Sequence, residues 1–107
     1  MEDREVTKVF HYPVYFIAKD DGNELWAVPY EGRVCLLTYQ NLEVAELYCD
    51  QVGDKELCIC VINSQDEFLT MLKAVPMQVT HLAWNVTVKP SAVYLEQIAE
   101  LLLVLPN

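Results

Sequence analysis

The sequence has little glycine, few basic side chains and no long apolar run. Three glycines in 107 residues leave little material for a phosphate-binding loop, and no serine-hydrolase or zinc-peptidase motif occurs. Seven basic side chains against sixteen acidic ones give a net charge of −9, which repels nucleic acid and anionic membrane surfaces. No apolar run exceeds six residues, whereas a bilayer span needs about 20 residues. We therefore predict no catalytic residues, no cofactor, and neither a nucleic-acid nor a membrane partner.

The composition that remains is typical of a folded domain. Apolar residues make up 53% of the sequence and charged residues 21%, which excludes intrinsic disorder. A length of 107 residues fits a single domain over 1–107. Four of the first five residues are charged, with both signs present, unlike a secretory signal, so we predict a cytoplasmic protein. Its four cysteines are then expected to be reduced thiols.

The first half of the chain predicts three strands followed by a helix. An aromatic and β-branched segment from Val14 to Lys19 ends at the turn signal of residues 20–23. Two further apolar segments, Glu24–Tyr30 and Arg33–Tyr39, are separated by a two-residue turn, which indicates consecutive antiparallel strands. Helical spacing of apolar residues then predicts a helix over Asn41–Val52, with Asn41 or Thr38 as its cap and Gly53 as its stop.

The second half predicts two more strands and two more helices. Leu57–Ile62 is apolar at every position, which favours a central strand. Ser64 and Glu67 form a capping-box pattern for a helix that ends before Pro76. A fifth strand is predicted over Gln78–Val88, and a last helix after Pro90-Ser91 that carries Leu95, Ile98 and Leu102 on one face. The predicted fold is α+β in the order βββαβαβα, with helices packed on a mostly antiparallel sheet of about five strands.

Two stretches resemble the amino-terminal domain of SseB-like proteins, a bacterial family. The apolar strand Val34–Thr38 leads into the helix that starts Asn41-Leu42-Glu43, and the strand His81–Asn85 precedes a helical segment over Tyr94–Leu103. Leu37 stands where the family has an aromatic residue, and Val86 follows Asn85 where the family has proline. The resemblance implies a bacterial protein with the family's fold and a non-catalytic role, and it carries over no site residues.

Thiols and imidazoles are the candidates for metal or acid–base chemistry. Cys58 and Cys60 share one face of a strand, and Cys35 or Cys49 is a possible third zinc ligand. The pair lacks the turn on which structural zinc sites place their cysteines, so packing in the core is the favoured interpretation. The two histidines, His11 and His81, have no recognisable partner in a catalytic motif. A thiol or metal site built on Cys58 and Cys60 remains an alternative.

Aromatic side chains with polar tips suit a partly wet ligand pocket. The alternative function of small-molecule binding therefore rests on a pocket formed by Trp26, Tyr30, Tyr48 and Trp84. The same rings are equally compatible with ordinary packing in the core. Ligand binding and core packing stay open at this point.

The last predicted helix suggests self-association. Residues 101–105 are apolar all round, so one buried helix face cannot accommodate all of them. We predict a homodimer or larger homo-oligomer with Leu101, Leu103 and Val104 in the interface. The acidic surface also suits a basic protein partner. The sequence thus favours a non-enzymatic protein-interaction module, acidic and self-associating.

Overall fold

The structure, a computed structural model, describes residues 10–87 and 93–105. Within these residues the chain forms seven strands and three helices. The strands are β1 (Val14–Lys19), β2 (Glu24–Leu25), β3 (Ala27–Tyr30), β4 (Arg33–Tyr39), β5 (Leu57–Ile62), β6 (His81–Trp84) and β7 (Tyr94–Gln97). The helices are α1 (Leu42–Val52), α2 (Gln65–Ala74) and α3 (Ile98–Val104). None of the helices in the described ranges is long and apolar enough to span a bilayer.

All seven strands belong to one mixed sheet. Its order is β5-β1-β4-β6-β7, and the short strands β2 and β3 pair with β1 and β4 respectively. β4 and β6 are parallel, whereas the other pairs are antiparallel. The α+β class is confirmed, but the prediction of a mostly antiparallel sheet of about five strands is wrong. The parallel pair arises because the chain leaves β4 through α1, β5 and α2 and returns beside it, a crossover that no single strand pattern predicts.

The helices cover the sheet on both faces. On one face α1 packs on β1, β4 and β5, where Ala45 and Tyr48 meet Ile17 and Leu37 in a buried cluster. On the other face α2 and α3 cover a second cluster that includes Phe16, Phe68, Leu82 and Leu101. Successive side chains of each strand point to opposite faces of the sheet, so each strand contributes residues to both clusters. The molecule therefore has three layers, with the sheet in the middle.

Of the two candidate N-caps of α1, Asn41 is confirmed, whereas Thr38 lies in β4 and does not cap the helix. The predicted stop at Gly53 is confirmed as well. The Asn41 side chain accepts a hydrogen bond from the N–H of Glu43 (2.8 Å). At the other end Gly53 adopts a left-handed conformation (φ 75°) and donates its N–H to the carbonyl of Cys49 (3.1 Å). A left-handed residue that closes the helix in this way is usually glycine, because a Cβ is strained there.

The start of α2 also follows the predicted capping pattern. The N–H of Glu67 donates to the Ser64 hydroxyl (3.2 Å). The Glu67 carboxylate reaches back one residue further than predicted and accepts from the N–H of Asn63 (2.9 Å). The helix ends at Ala74, before Pro76, as expected.

Three boundary predictions are wrong. The predicted strand Glu24–Tyr30 is interrupted at Trp26, because its first part pairs with β1 and its second part with β4. The predicted strand over Gln78–Val88 narrows to β6, and its last residue lies outside the described residues. The last helix starts at Ile98, because Tyr94–Gln97 pairs with β6 as a strand. Its predicted start signal, Pro90-Ser91, lies outside the described residues.

The predicted central position of Leu57–Ile62 is wrong as well. Among the described residues β5 pairs with β1 only, so it is an edge strand. Its faces lie against helices, with α1 on one side and α2 on the other. Cover on both faces explains the continuous apolar sequence, and such cover does not require a neighbouring strand on both edges.

Candidate functional site

An apolar groove lies between the end of α2 and the side of α3. The connection from α2 to β6 turns tightly, since the N–H of Val79 donates to the carbonyl of Pro76 (3.0 Å). The start of α3 is fixed against this connection by a bond from the N–H of Ile98 to the carbonyl of Thr80 (3.0 Å). The groove has a volume of about 440 Å³. Its walls are formed by Leu72, Lys73, Val75, Pro76, Met77, Val79, Thr80, Gln97, Ile98, Ala99 and Leu102.

Large apolar side chains project from both rims of this groove. Met77 is 94% exposed on one rim. On the other rim Leu103, which is 84% exposed, follows the lining residue Ala99 by four positions and so lies on the same side of α3. We call Met77, Leu102 and Leu103, together with the groove between them, the α2–α3 surface. A large exposed apolar patch of this kind is typical of an interaction site.

The predicted interface residues Leu101, Leu103 and Val104 occupy three different positions around α3. Leu101 is 2% exposed and packs in the core with Leu82. Leu103 borders the groove, whereas Val104 is exposed on the opposite flank of the helix. The structure thus brings only Leu103 to the α2–α3 surface. Met77 was not predicted, and the available signal was a large apolar side chain in the turn directly after Pro76.

The four aromatic residues of the predicted pocket lie on opposite faces of the sheet. Trp26 donates its indole N–H to the Tyr48 hydroxyl (3.2 Å), and both pack with Tyr30 on the face covered by α1. Trp84 belongs to the other face, where it stacks on Phe10 with ring centroids 5.4 Å apart. One pocket therefore cannot contain all four rings.

Trp84 contacts a buried carboxylate, a contact that was not predicted from the sequence. The Trp84 indole N–H donates to Oε1 of Glu96 (2.9 Å), and Glu96 is buried. The interpretation of residues 94–97 as part of a helix hid this contact. As strand β7, the segment alternates, and Glu96 stands opposite Leu82 on the core-facing side.

The cysteines are distributed over both faces of the sheet. Cys58 and Cys60 share a face as predicted, whereas the buried Cys35 points to the other face. Burial raises the pKa of the Cys35, Cys49 and Cys60 thiols, which keeps them protonated at neutral pH. Across residues 10–87 and 93–105 no group of three or more ligating side chains is arranged to hold a metal ion.

The histidines occupy separate places. His11 is exposed ahead of β1. His81 lies in β6, and its Nδ1 shares a hydrogen bond with the hydroxyl of its neighbour Thr80 (2.7 Å). A hydroxyl beside an imidazole resembles part of a nucleophile and base pair, but this one joins adjacent residues at the strand end. This hydrogen bond between adjacent residues is compatible with a purely structural role.

Comparison of the chain with protein-family models gives no match. Comparison with curated proteins also gives no match.

Proposed function

We propose that this chain is a non-enzymatic protein-interaction module that self-associates through the α2–α3 surface. The proposal rests on the exposure of two apolar side chains, Met77, which lines the apolar groove, and Leu103, which lies one helical turn beyond the lining residue Ala99. Burial of one such side chain stabilises a complex by about 1.5–3 kcal/mol. The resemblance to SseB-like domains, with its non-catalytic role, stays a prediction that agrees with this function.

The charge distribution favours a second copy of the chain as the occupant. The net charge of −9 makes two copies repel each other over most approaches. The lining of the groove contains no carboxylate, and Lys73 is the one charged side chain among its residues. Two copies that meet at this groove therefore bring no carboxylates of its lining together.

The alternative of small-molecule binding has weaker support. The sheet separates Trp84 from the other three aromatic residues of the proposed pocket. The four rings therefore do not line one common pocket. The thiol or metal alternative has weaker support too, because Cys35 and Cys58 face opposite layers.

Replacement of Leu103 by glutamate tests the proposal. In sedimentation at increasing concentration, the wild-type chain is expected to shift from monomer to dimer or higher oligomer. Leu103→Glu is expected to weaken this association by at least about tenfold, because an apolar contact is lost and a charge is buried.

The matched control is Leu47→Glu, since Leu47 is an exposed leucine on α1, on the opposite face of the sheet. This variant is expected to associate like the wild type. A wild-type chain that stays monomeric at its highest soluble concentration would contradict the proposal. Equal loss of association in both variants would place the interface elsewhere.

A further inference from the structure

The outer edge of β5 presents backbone groups that none of the described residues pairs with. The N–H of Asp20 donates to the carbonyl of Glu56 (3.2 Å), directly beyond the paired residues of β1 and β5. Hydrogen-bonded and non-hydrogen-bonded residue pairs alternate in an antiparallel ladder. This bond therefore shows which residues of β5 are hydrogen-bonded to β1 and which are not. The residues that turn their backbone groups away from β1 are Leu57, Ile59 and Val61.

The two ends of this edge are closed by the chain itself. The N–H of Leu57 donates to the carbonyl of Asp54 (3.1 Å). Past the other end the N–H of Asn63 is taken by the Glu67 carboxylate (2.9 Å). Between these bonds, no described residue pairs with the N–H and C=O groups of Ile59 and Val61. The open stretch thus matches the spacing of a short added strand.

β5 lacks the features that commonly protect an edge strand. It contains no lysine, no proline and no other charged residue, although such residues usually prevent pairing with other chains. The Val61 side chain is 47% exposed. An apolar edge of this kind is suited to recognise an extended segment through its main chain.

An acidic groove lies at the start of β5. It has a volume of about 370 Å³ and is lined by Cys49, Asp50, Gly53, Asp54, Lys55 and Leu57. The N–H of Glu56 and the Lys19 ammonium group hold the pKa of Asp54 below its usual value, so Asp54 is ionised at neutral pH. Asp50 supplies a second carboxylate.

The end of α1 adds to the negative potential of this groove. The helix carries no basic residue in its last turn, so its terminal carbonyl groups attract a cation. Asp50 and Glu46 both add to the rise in the Cys49 pKa that burial causes, in agreement with a negative potential at this end of α1. Lys19 and Lys55 offset part of the charge, but the carboxylates of Glu46, Asp50, Asp54 and Glu56 outnumber them.

The acidic residues beside β5 favour a basic partner over a second copy of the chain at this edge. Two copies paired at β5 would bring the acidic residues beside each strand close together, which is unfavourable. A basic segment instead meets complementary charge at the groove and an open strand edge beside it. We propose that the outer edge of β5 binds an extended basic segment of a partner protein as an added strand, with a lysine or arginine side chain in the groove beside Asp50. This surface is separate from the α2–α3 surface, and either proposal can fail without the other.

A synthetic peptide tests the proposal on the full chain. The probe is a nine-residue capped peptide in which lysine alternates with valine, titrated into the protein by calorimetry. We expect saturable binding with a stoichiometry of one peptide per chain. Two control peptides separate the contributions: one carries glutamate in place of lysine, and the other is N-methylated along the backbone. Both are expected to bind at least about tenfold more weakly, because one loses the charge pairing and the other the main-chain bonds.

Two variants locate the binding on the protein. Val61→Pro removes an N–H that points away from β1, and it is expected to weaken binding about tenfold, whereas Val61→Thr keeps the N–H and is expected to bind like the wild type. Asp50→Asn is expected to weaken binding about three- to fivefold. Loss of an acidic charge from the last turn of a helix is stabilising, so unfolding does not explain that result. Glu31→Gln, in the turn between β3 and β4, is the matched charge control.

Several results would overturn the proposal. They are the absence of binding at millimolar peptide, equal affinity for the glutamate peptide, and unchanged binding to Val61→Pro. A peptide-free dimer that Val61→Pro dissociates, with Leu103→Glu still dimeric, would assign the edge to a second copy instead. Circular dichroism of Val61→Pro shows whether its fold is retained, and the Asp50→Asn result stands independently if it is not.

Discussion

Two tyrosine hydroxyl groups differ in whether they have a hydrogen-bond partner. The Tyr39 hydroxyl donates a hydrogen bond to the carbonyl of Val86 (2.6 Å), across 47 residues of sequence. The Tyr12 hydroxyl is buried and has no hydrogen-bond partner within the described ranges, while its ring packs edge-on against Phe68. Burial raises the pKa of both groups, so each remains a neutral phenol at physiological pH. One hydroxyl stabilises the fold, and the other costs free energy.

Removal of each hydroxyl is expected to change stability in opposite directions. Tyr12→Phe should raise the free energy of unfolding by about 1 kcal/mol, because an unpaired buried oxygen is removed. Tyr39→Phe should lower it by about 1 kcal/mol, because the Val86 carbonyl loses its donor. Urea unfolding of the two variants beside the wild type measures both changes. Destabilisation by Tyr12→Phe would mean that this hydroxyl has a partner in solution.

Among the elements, α2 depends on its first turn. It has ten residues, too few for a stable isolated helix, and its cap also closes one end of the open β5 edge. We expect Ser64→Ala to lower the free energy of unfolding by about 1 kcal/mol, since the N–H of Glu67 loses its acceptor.

Ser64→Asp is the control for this prediction, because aspartate caps a helix as well as serine does. The variant should retain wild-type stability in thermal unfolding. An equal loss in both variants would show that the serine contributes through packing rather than through the hydrogen bond.

The elements also show which features the sequence could predict. Helix caps depend on residues two to four positions apart, so Asn41, Gly53 and Ser64 were predictable from local pattern. β7 was not, because Leu95, Ile98 and Leu102 satisfy a helical period although Tyr94–Gln97 pairs with β6. The edge position of β5 depends on the order of strands in the sheet, and that order is set by contacts between distant segments. Of the residues that form the α2–α3 surface, only Leu103 was predicted as an interface residue. Met77 was not, because it joins this surface through the folded turn after Pro76.

The whole molecule combines a strong negative charge with two surfaces whose apolar parts contain no carboxylate. Among the described residues the carboxylates lie in turns, loops and helices, except for Glu24 in β2 and Glu96 in β7. The α2–α3 groove and β5 itself contain no carboxylate. The two surfaces differ in their surroundings, because acidic residues border β5 and a lysine borders the groove. Long-range charge therefore acts with opposite sign on the two proposed interactions.

Salt is expected to affect the two interactions in opposite directions. Two acidic copies repel each other, so an increase of sodium chloride from about 0.05 to 0.5 M, which shortens the screening length several-fold, should strengthen self-association through the α2–α3 surface. The same increase should weaken binding of the lysine–valine peptide at β5, because its attraction to Glu46, Asp50 and Asp54 is screened. Sedimentation measures the first change and calorimetry the second, in matched buffers. Self-association that falls with salt would indicate ion pairing between copies and would argue against an apolar interface at Leu103.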